Sequence, residues 1–247
     1  MRVPWPTHFP YVLAHTAWES SGDAPALPDH PDYWPAKKHG DARAALSVCR
    51  DLGREDVLEH LYDECLDTDD GRPPIVAVPA LVLDEAKNYL ARTFGRWLAH
   101  EMRWDIDGDI FQAKSVSRDF TTDGWFRLVH QPEFYGSVQA GRRYVLADDV
   151  CTMGGTLASL RGFIESKGGW VIAMTVLATR EGQHAPISLA PSTLQGLTGA
   201  HDGGLEGVCH AEIGYGLDCL TEQEGRFLLR CPTLNGVRAG INGTRNA

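Results

Sequence analysis

The sequence predicts an α/β protein built on a twisted, mostly parallel sheet flanked by helices. Short apolar runs rich in β-branched residues, such as IVAVP and WVIAMTVLAT, are typical of strands buried on both faces. The segment RRYVLADD, the helical TLASLRGFIESKGG and WVIAMTVLAT follow one another, and a strand, a helix and a strand in succession indicate a parallel pair with a right-handed crossover. A chain of 247 residues accommodates one large domain with modest additions.

The first 71 residues are predicted to be an addition to this core. The opening forty residues are rich in proline and aromatic side chains and show no helical or alternating period, so we expect an irregular arm on the body of the protein. Two helices should follow. Asp41 is suited to cap DARAALSVCRDL, and apolar residues at helical spacing predict a second helix over about 54–66.

The predicted core spans residues 72–182. It begins with the IVAVP strand, continues with a helix that covers 90–102, and turns into a short strand within RWDIDGDIFQA. Residues 114–136 are polar, contain glycine and proline, and lack a clear period, so they predict a long loop. A loop of that length inside a compact domain is usually functional or mobile.

Residues 183–247 are predicted to form a C-terminal helical extension. Its clearest element is LTEQEGRFLLR, in which Thr221 and Glu224 have the spacing of a capping box. The final RAGINGTRNA contains little to bury, so we expect it to fray.

Composition excludes several classes of function. A net charge of -10 argues against an extended surface for nucleic acid or anionic lipid, although a local basic pocket stays open. No apolar run is long enough for a membrane span and the first residues lack a signal-peptide pattern, so we expect a cytoplasmic protein. The six cysteines include no C-x-x-C pair and are interpreted as reduced thiols.

The segment YVLADDVCTMGGTLASL has the residues expected of a site for a phosphorylated sugar. A buried strand delivers Asp148 and Asp149 at its carboxyl end, and a loop with Gly154 and Gly155 then runs directly into a helix. Glycines allow backbone N–H groups to converge on a phosphate, and the start of the helix favours negative charge. Carboxylates accept hydrogen bonds from vicinal hydroxyls or hold Mg²⁺ through its water shell. Together these groups describe a ribose 5-phosphate ligand.

The same segment resembles the phosphoribosyl diphosphate (PRPP) binding motif of type I phosphoribosyltransferases, which is an apolar strand, two acidic residues, two apolar residues and T-T-G-x-T. The matching residues are Asp148, Asp149, Thr152, Gly154 and Thr156. Met153 departs from the pattern, because it stands where the family often has a second threonine. The order of predicted elements over about residues 72–182 also follows the family. VPALVLDEAKNYLAR is similar to the ComF-like branch, with Val78, Pro79 and Asn88 matching.

The resemblance implies transfer of ribose 5-phosphate from PRPP to a nitrogen of a nucleobase-like acceptor, with Mg²⁺ on the departing diphosphate. The protein would then be a pentosyltransferase. It implies that PRPP contacts Asp148, Asp149, Thr152, Met153, Gly154, Gly155, Thr156, Pro79, Ala80, Leu81 and Lys87. Asp148 and Asp149 would meet the metal through water, and Lys114 and Arg118 of the long loop would act with Asp149 in catalysis. Lys114 and Arg118, with Arg127 and His130 behind them, would be cations that reach the diphosphate.

Several alternatives stay open from the sequence. Only Lys87 is positive in the expected pyrophosphate loop, beside Asp84 and Glu85, which would also suit a regulator that binds PRPP or a nucleotide without transferring it. The ComF-like features equally permit an interaction protein. Lys37 and Lys38 either form a lid over the sugar pocket or belong to the plain surface. No motif identifies the acceptor, and a homodimer is left open because relatives often pair.

Overall fold

A computed structural model describes residues 2–20, 26–65, 71–81, 88–113, 123–200 and 203–245. Within these ranges the chain forms eight strands, which are β1 Val12–Ala17, β2 Ile75–Ala77, β3 Asp105–Ile106, β4 Ile110–Gln112, β5 Phe134–Gly136, β6 Arg143–Cys151, β7 Trp170–Thr179 and β8 His184–Ala185. The helices of the same ranges are α1 Tyr33–Lys38, α2 Ala42–Leu52, α3 Glu55–Cys65, α4 Leu90–Met102, α5 Gly124–Val129, α6 Gly155–Ser166, α7 Pro191–Ala200, α8 Leu205–Ile213, α9 Glu222–Leu229 and α10 Leu234–Arg245.

Six strands form one sheet in the order β3-β2-β6-β7-β1-β8. Neighbouring strands run parallel except for β8, which is antiparallel to β1. Strands β4 and β5 pair separately in an antiparallel ribbon. The predicted fold class, a mostly parallel sheet flanked by helices with helical additions, is confirmed.

The two faces of the sheet are covered by different helices. Val145 and Ala147 of β6 pack with α1–α4, whereas Tyr144 and Leu146 pack on the opposite face with α6. This alternation follows from the two-residue period of a strand, and it makes both faces of the central strands apolar. Helices α5 and α7–α10 enclose a third apolar cluster around Leu128. Among the described helices, none combines the length and the apolar character needed to cross a bilayer.

The expectation of an irregular N-terminal arm is wrong for residues 12–17. They form β1, which lies within the sheet between β7 and β8. Its VLAHTA sequence is short and carries a buried histidine, so the apolar run that usually marks a central strand is interrupted. The expected boundary at residue 72 therefore separates one strand of the sheet from the others.

Two further expectations are corrected. The segment predicted as a loop over 114–136 contains α5 and β5 in its described part, residues 123–136. The last segment belongs to α10, where Val237 and Ile241 are buried against the C-terminal cluster, so it is helical through Arg245.

The predicted local signals for helix ends are confirmed. Asp41 accepts hydrogen bonds from the backbone N–H groups of Arg43 and Ala44 at the start of α2. Thr221 and Glu224 form the expected capping box at the start of α9. Both motifs satisfy N–H groups that a helix cannot pair internally.

Candidate functional site

The strand order places a topological switch point at the carboxyl ends of β2 and β6, and the crevice is the space between these two strand ends. These strands are parallel neighbours, but β2 is followed by α4 on one face and β6 by α6 on the other. The chain thus leaves the two strands in opposite directions, and ligands of open α/β sheets bind at such a switch point. Residues 79–81 follow β2 directly and residues 152–156 follow β6. The two segments predicted to bind PRPP therefore flank one crevice.

The acidic pair lies at the carboxyl end of β6. Asp148 is 8% exposed and Asp149 is 5% exposed. The backbone N–H of Asp149 donates to Asp148 Oδ1 at 2.8 Å, and that of Val150 donates to Asp149 Oδ1 at 2.8 Å. These local bonds fix both carboxyl groups at the edge of the sheet.

Two side chains from outside the motif converge on Asp149. Asn88 Nδ2 donates to Asp149 Oδ2 at 2.9 Å, and the Lys37 ammonium forms an ion pair with the same oxygen. Asn88 precedes α4, and its Oδ1 also accepts from the Leu90 N–H at 3.0 Å, which holds the amide in position. Lys37 lies in α1, on the face of the sheet that α1–α4 cover.

The pKa values of the two carboxyl groups are shifted in opposite directions. Burial, followed by the charge of Asp149, raises the pKa of Asp148 well above its ordinary value. Burial also acts to raise the pKa of Asp149, but the charge of Lys37 and the hydrogen bonds from Lys37 and Asn88 outweigh it, so the pKa is lowered. Asp149 is therefore the carboxylate of the pair, and Asp148 keeps its proton to a higher pH than an exposed aspartate.

Direct metal coordination does not fit this pair. Asp149 Oδ2 already accepts from an ammonium and an amide, and each Oδ1 accepts from a backbone N–H. Among the described residues there is no group of three or more histidine, cysteine or acidic side chains that could hold a metal ion. An Mg²⁺ contact through water, as expected from the sequence, stays a prediction.

The loop after β6 is packed on the C-terminal extension. Gly154 has a φ of +77°, and a Cβ there would lie 2.7 Å from Ile187 Cδ1. A Cβ on Gly155 would lie 2.7 Å from Gln131 Oε1 and 2.8 Å from Arg2 Nη2. A Cβ at either position would therefore displace a neighbouring side chain, and at Gly154 it would also strain the backbone. That the backbone N–H groups at these glycines also bind a phosphate stays a prediction.

The space behind the loop is too small for a ligand. The cavity lined by Met153, Ile187 and Thr221 has a volume of about 10 Å³, which is room for one water molecule. Cys151 borders this cavity, and its burial raises the pKa of the thiol to about 12, as expected of a packing residue. This side of the loop therefore has no room for a phosphate.

Arg127 contacts the motif loop at Thr152. Its Nη1 donates to Thr152 Oγ1 at 3.0 Å from the short helix α5. His130 stacks on Phe126 with ring centroids 4.2 Å apart and lies 3.2 Å from the Thr244 carbonyl oxygen. Arg127 and His130 were expected behind Lys114 and Arg118 as cations for the diphosphate. Arg127 instead contacts the loop expected for the 5-phosphate, and His130 packs toward α10.

Arg2 near the N-terminus and Thr221 of the C-terminal extension both contact the motif loop. Thr221 Oγ1, at the cap of α9, donates to the Met153 carbonyl at 2.5 Å. Arg2 binds both oxygens of Glu224 at 2.5 and 2.7 Å, and its Nη2 lies 3.4 Å from the Gly155 carbonyl. The side chains of Arg2 and Glu224 are almost completely buried. The sequence predicted the cap but not its second role against the loop.

The motif residues and residues 79–81 follow two neighbouring parallel strands at the same edge of the sheet, and their contact with PRPP stays a prediction. Lys87, Lys114 and Arg118 lie outside the described residues. The residues that sequence reasoning missed or left undecided are Lys37, Asn88 as a partner of Asp149, and Arg92, whose guanidinium donates to the Leu81 carbonyl at 2.5 Å. For Lys37 the sequence offered only two adjacent lysines before a helix cap.

Comparison with known proteins identifies two curated relatives. The chain is similar to Protein TraN of Escherichia coli. The two are 35% identical over 246 residues, which are 99% of this chain and 52% of TraN. An uncharacterized protein of Haemophilus influenzae is 33% identical over 165 residues, 66% of this chain and 34% of that protein. The chain thus spans about half of TraN and a third of the other relative. No family model matches.

Several phosphoribosyltransferases are among the solved structures that are similar to this chain. The adenine phosphoribosyltransferase of Thermoanaerobacter pseudethanolicus is 18% identical, with a TM-score of 0.30, over 52% of this chain and 83% of that chain. A hypoxanthine phosphoribosyltransferase of Staphylococcus aureus is 16% identical, with a TM-score of 0.35, over 58% of this chain and 67% of that chain. The orotate phosphoribosyltransferase of Aeropyrum pernix is 21% identical, with a TM-score of 0.30, over 59% of this chain and 68% of that chain. At these scores the agreement adds no detail about the site, and the ComF-like branch stays a prediction.

Proposed function

We propose that the protein is a phosphoribosyltransferase-like enzyme that binds PRPP in the crevice between β2 and β6. The observation that supports the proposal most is the position of Asp148 and Asp149 at the switch point of the sheet, directly before the loop that leads into α6. A buried carboxylate beside an open crevice suits the vicinal hydroxyls of a ribose, since each hydroxyl donates a hydrogen bond that the carboxylate accepts.

The arrangement divides the ligand between two parts of the site. Asp149, held ionised by Lys37, accepts from the ribose hydroxyls, while Asp148 adds a second oxygen within the same short segment. The 5-phosphate lies against the loop 152–156, where Arg127 lies beside Thr152 and supplies positive charge near the start of α6. The loop is rigid because α9 and Arg2 hold it from behind, which preorganises these groups.

The proposed reaction breaks the bond between the anomeric carbon and the diphosphate oxygen and forms a bond from that carbon to an acceptor nitrogen. The diphosphate leaves with the electron pair of the broken bond, the nitrogen supplies the new pair, and the proton that this nitrogen carried passes to solvent. Positive charge develops on the sugar in between, so the nearby Asp149 carboxylate favours the transition state. Mg²⁺, when bound to the diphosphate, would neutralise its growing negative charge.

Calorimetry with PRPP tests the binding site. Replacement of the pair by isosteric amides, Asp148→Asn with Asp149→Asn, should weaken PRPP binding at least tenfold, because the site loses the carboxylate that the hydroxyls need. Asp109→Asn, on the exposed turn before β4, removes an acidic group elsewhere and should leave the affinity unchanged. Equal affinity in a folded double variant would contradict the proposal.

A regulator that binds PRPP without transfer is the second candidate. It is favoured by the protein partners that Asp149 and Thr152 already have, since Lys37 and Arg127 must adjust when a ligand enters. Release of pyrophosphate in the presence of a panel of nucleobases supports the enzyme, whereas binding of PRPP without release supports the regulator.

A further inference from the structure

We propose that Lys37 of α1 binds the 1-diphosphate of PRPP and so determines that the site takes the diphosphate ester in preference to ribose 5-phosphate. The inference rests on the proposed function and adds to it a residue outside the motif. It starts from the ion pair between the Lys37 ammonium and Asp149.

Lys37 is held in place by the structure of α1. Tyr33, one turn earlier on the same helix, is completely buried and packs edge-to-face against Trp18 with ring centroids 6.0 Å apart. The Tyr89 N–H donates to the Ala36 carbonyl at 3.2 Å, which ties α1 to the segment before α4. The side chain of Lys37 is 24% exposed, so it is not completely enclosed by the protein.

The charges around Lys37 favour an anionic ligand group. A hydroxyl that donates to Asp149 must approach the carboxylate that Lys37 already contacts, so the ligand lies beside the ammonium. At such short range a negative group on the ligand gains a favourable interaction with Lys37, and this interaction is strengthened where the site excludes water. During binding, the Lys37 ammonium would exchange part of its contact with Asp149 for a contact with the diphosphate. The ammonium therefore stays paired with a negative group throughout.

The position of Lys37 indicates which of the two anionic groups of PRPP it would contact. The 5-phosphate is expected at the loop 152–156, which leads into α6 on one face of the sheet. Lys37 approaches from the opposite face, with α1–α4. The two charged substituents of a ribose leave opposite ends of the ring, so a sugar whose 5-phosphate contacts the loop directs its 1-substituent toward the α1 side.

A tyrosine hydroxyl borders the same region. Tyr33 Oη is buried without a hydrogen-bond partner among the described residues. Burial, followed by the charge of Asp149, raises the pKa of Tyr33, which shows that its hydroxyl lies within the electrostatic reach of the pair. Helix α1 therefore brings both Lys37 and the buried Tyr33 close to Asp149.

The test measures the affinities of the full chain for PRPP, ribose 5-phosphate and inorganic pyrophosphate by calorimetry. Lys37→Gln should weaken PRPP and pyrophosphate binding at least tenfold and change ribose 5-phosphate binding less than threefold. Lys37→Arg keeps the charge and should restore most of the PRPP affinity. Lys38→Gln removes the same charge from the adjacent, exposed position and should leave all three affinities unchanged.

The alternatives predict other patterns. If Lys37 only keeps Asp149 ionised, Lys37→Gln weakens PRPP and ribose 5-phosphate equally and moves the pH dependence of both to higher pH. If Lys37 only blocks the site, both affinities increase. Either result, or unchanged PRPP affinity in Lys37→Gln, overturns the inference. If the wild-type protein binds neither PRPP nor ribose 5-phosphate, the proposed function itself fails and the role of Lys37 fails with it.

Discussion

The buried ion pair between Arg2 and Glu224 should make a large contribution to the stability of the fold around the loop. Arg2 donates to both Glu224 oxygens, lies 3.3 Å from the Cys219 carbonyl and stacks 4.5 Å above the ring of Tyr215. In Arg2→Met the Glu224 carboxylate keeps only the Thr221 N–H at 3.0 Å and the Gln131 amide at 3.4 Å among the described contacts. Removing one partner of such a pair costs about 3 to 5 kcal/mol.

Urea unfolding measures this loss directly. In a protein of this size the same loss corresponds to a decrease in Tm of about 6 to 20 °C. Arg54→Met is the matched control, because Arg54 pairs with Asp56 on the surface, where the two side chains are 48% and 55% exposed. An exposed pair of this kind contributes about 0 to 1 kcal/mol.

A second variant separates the ion pair from other effects of the substitution. Arg2→Met combined with Glu224→Gln removes both charges, and glutamine can still serve the capping box. The double variant should therefore be more stable than Arg2→Met alone. A loss in Arg2→Met no larger than in Arg54→Met, or a double variant less stable than Arg2→Met, would refute the reasoning.

Two further predictions concern the core and the loop. Burial lowers the pKa of His15 from 6.5 to about 4. Between these pH values the unfolded chain binds a proton at His15 that the folded protein does not bind. The free energy of unfolding should therefore fall by about 3 kcal/mol as the pH decreases from 6.5 to 4. His15→Phe should show a shallower fall in urea unfolding across that range, and an identical pH dependence would contradict this. Gly154→Ala should lower the free energy of unfolding by more than Gly141→Ala. Both glycines have a positive φ, of +77° and +73°, but of the two only Gly154 has atoms within 4 Å of a Cβ. The backbone cost alone is about 1 to 2 kcal/mol, so equal losses in thermal unfolding would show that packing contributes nothing.

The sequence predicted the features that depend on residues close together in the chain. Strand β6, its acidic pair and the start of α6 lie within one short segment, and their apolar and polar pattern is sufficient to recognise them. The caps of α2 and α9 were predictable for the same reason, since a cap involves residues only two or three positions apart.

The tertiary structure decided the contacts between distant parts of the chain. β1 pairs with β7 although more than 150 residues separate them, and its apolar pattern is interrupted by a buried histidine. Lys37 and Asp149 are 112 residues apart, and Arg2 and Glu224 are 222 apart. A local pattern records which face of an element is apolar, but it does not record which distant element covers that face. The sequence by itself therefore determined where the candidate site lies, and only the packing of α1, α9 and the N-terminal residues determined which charges surround it.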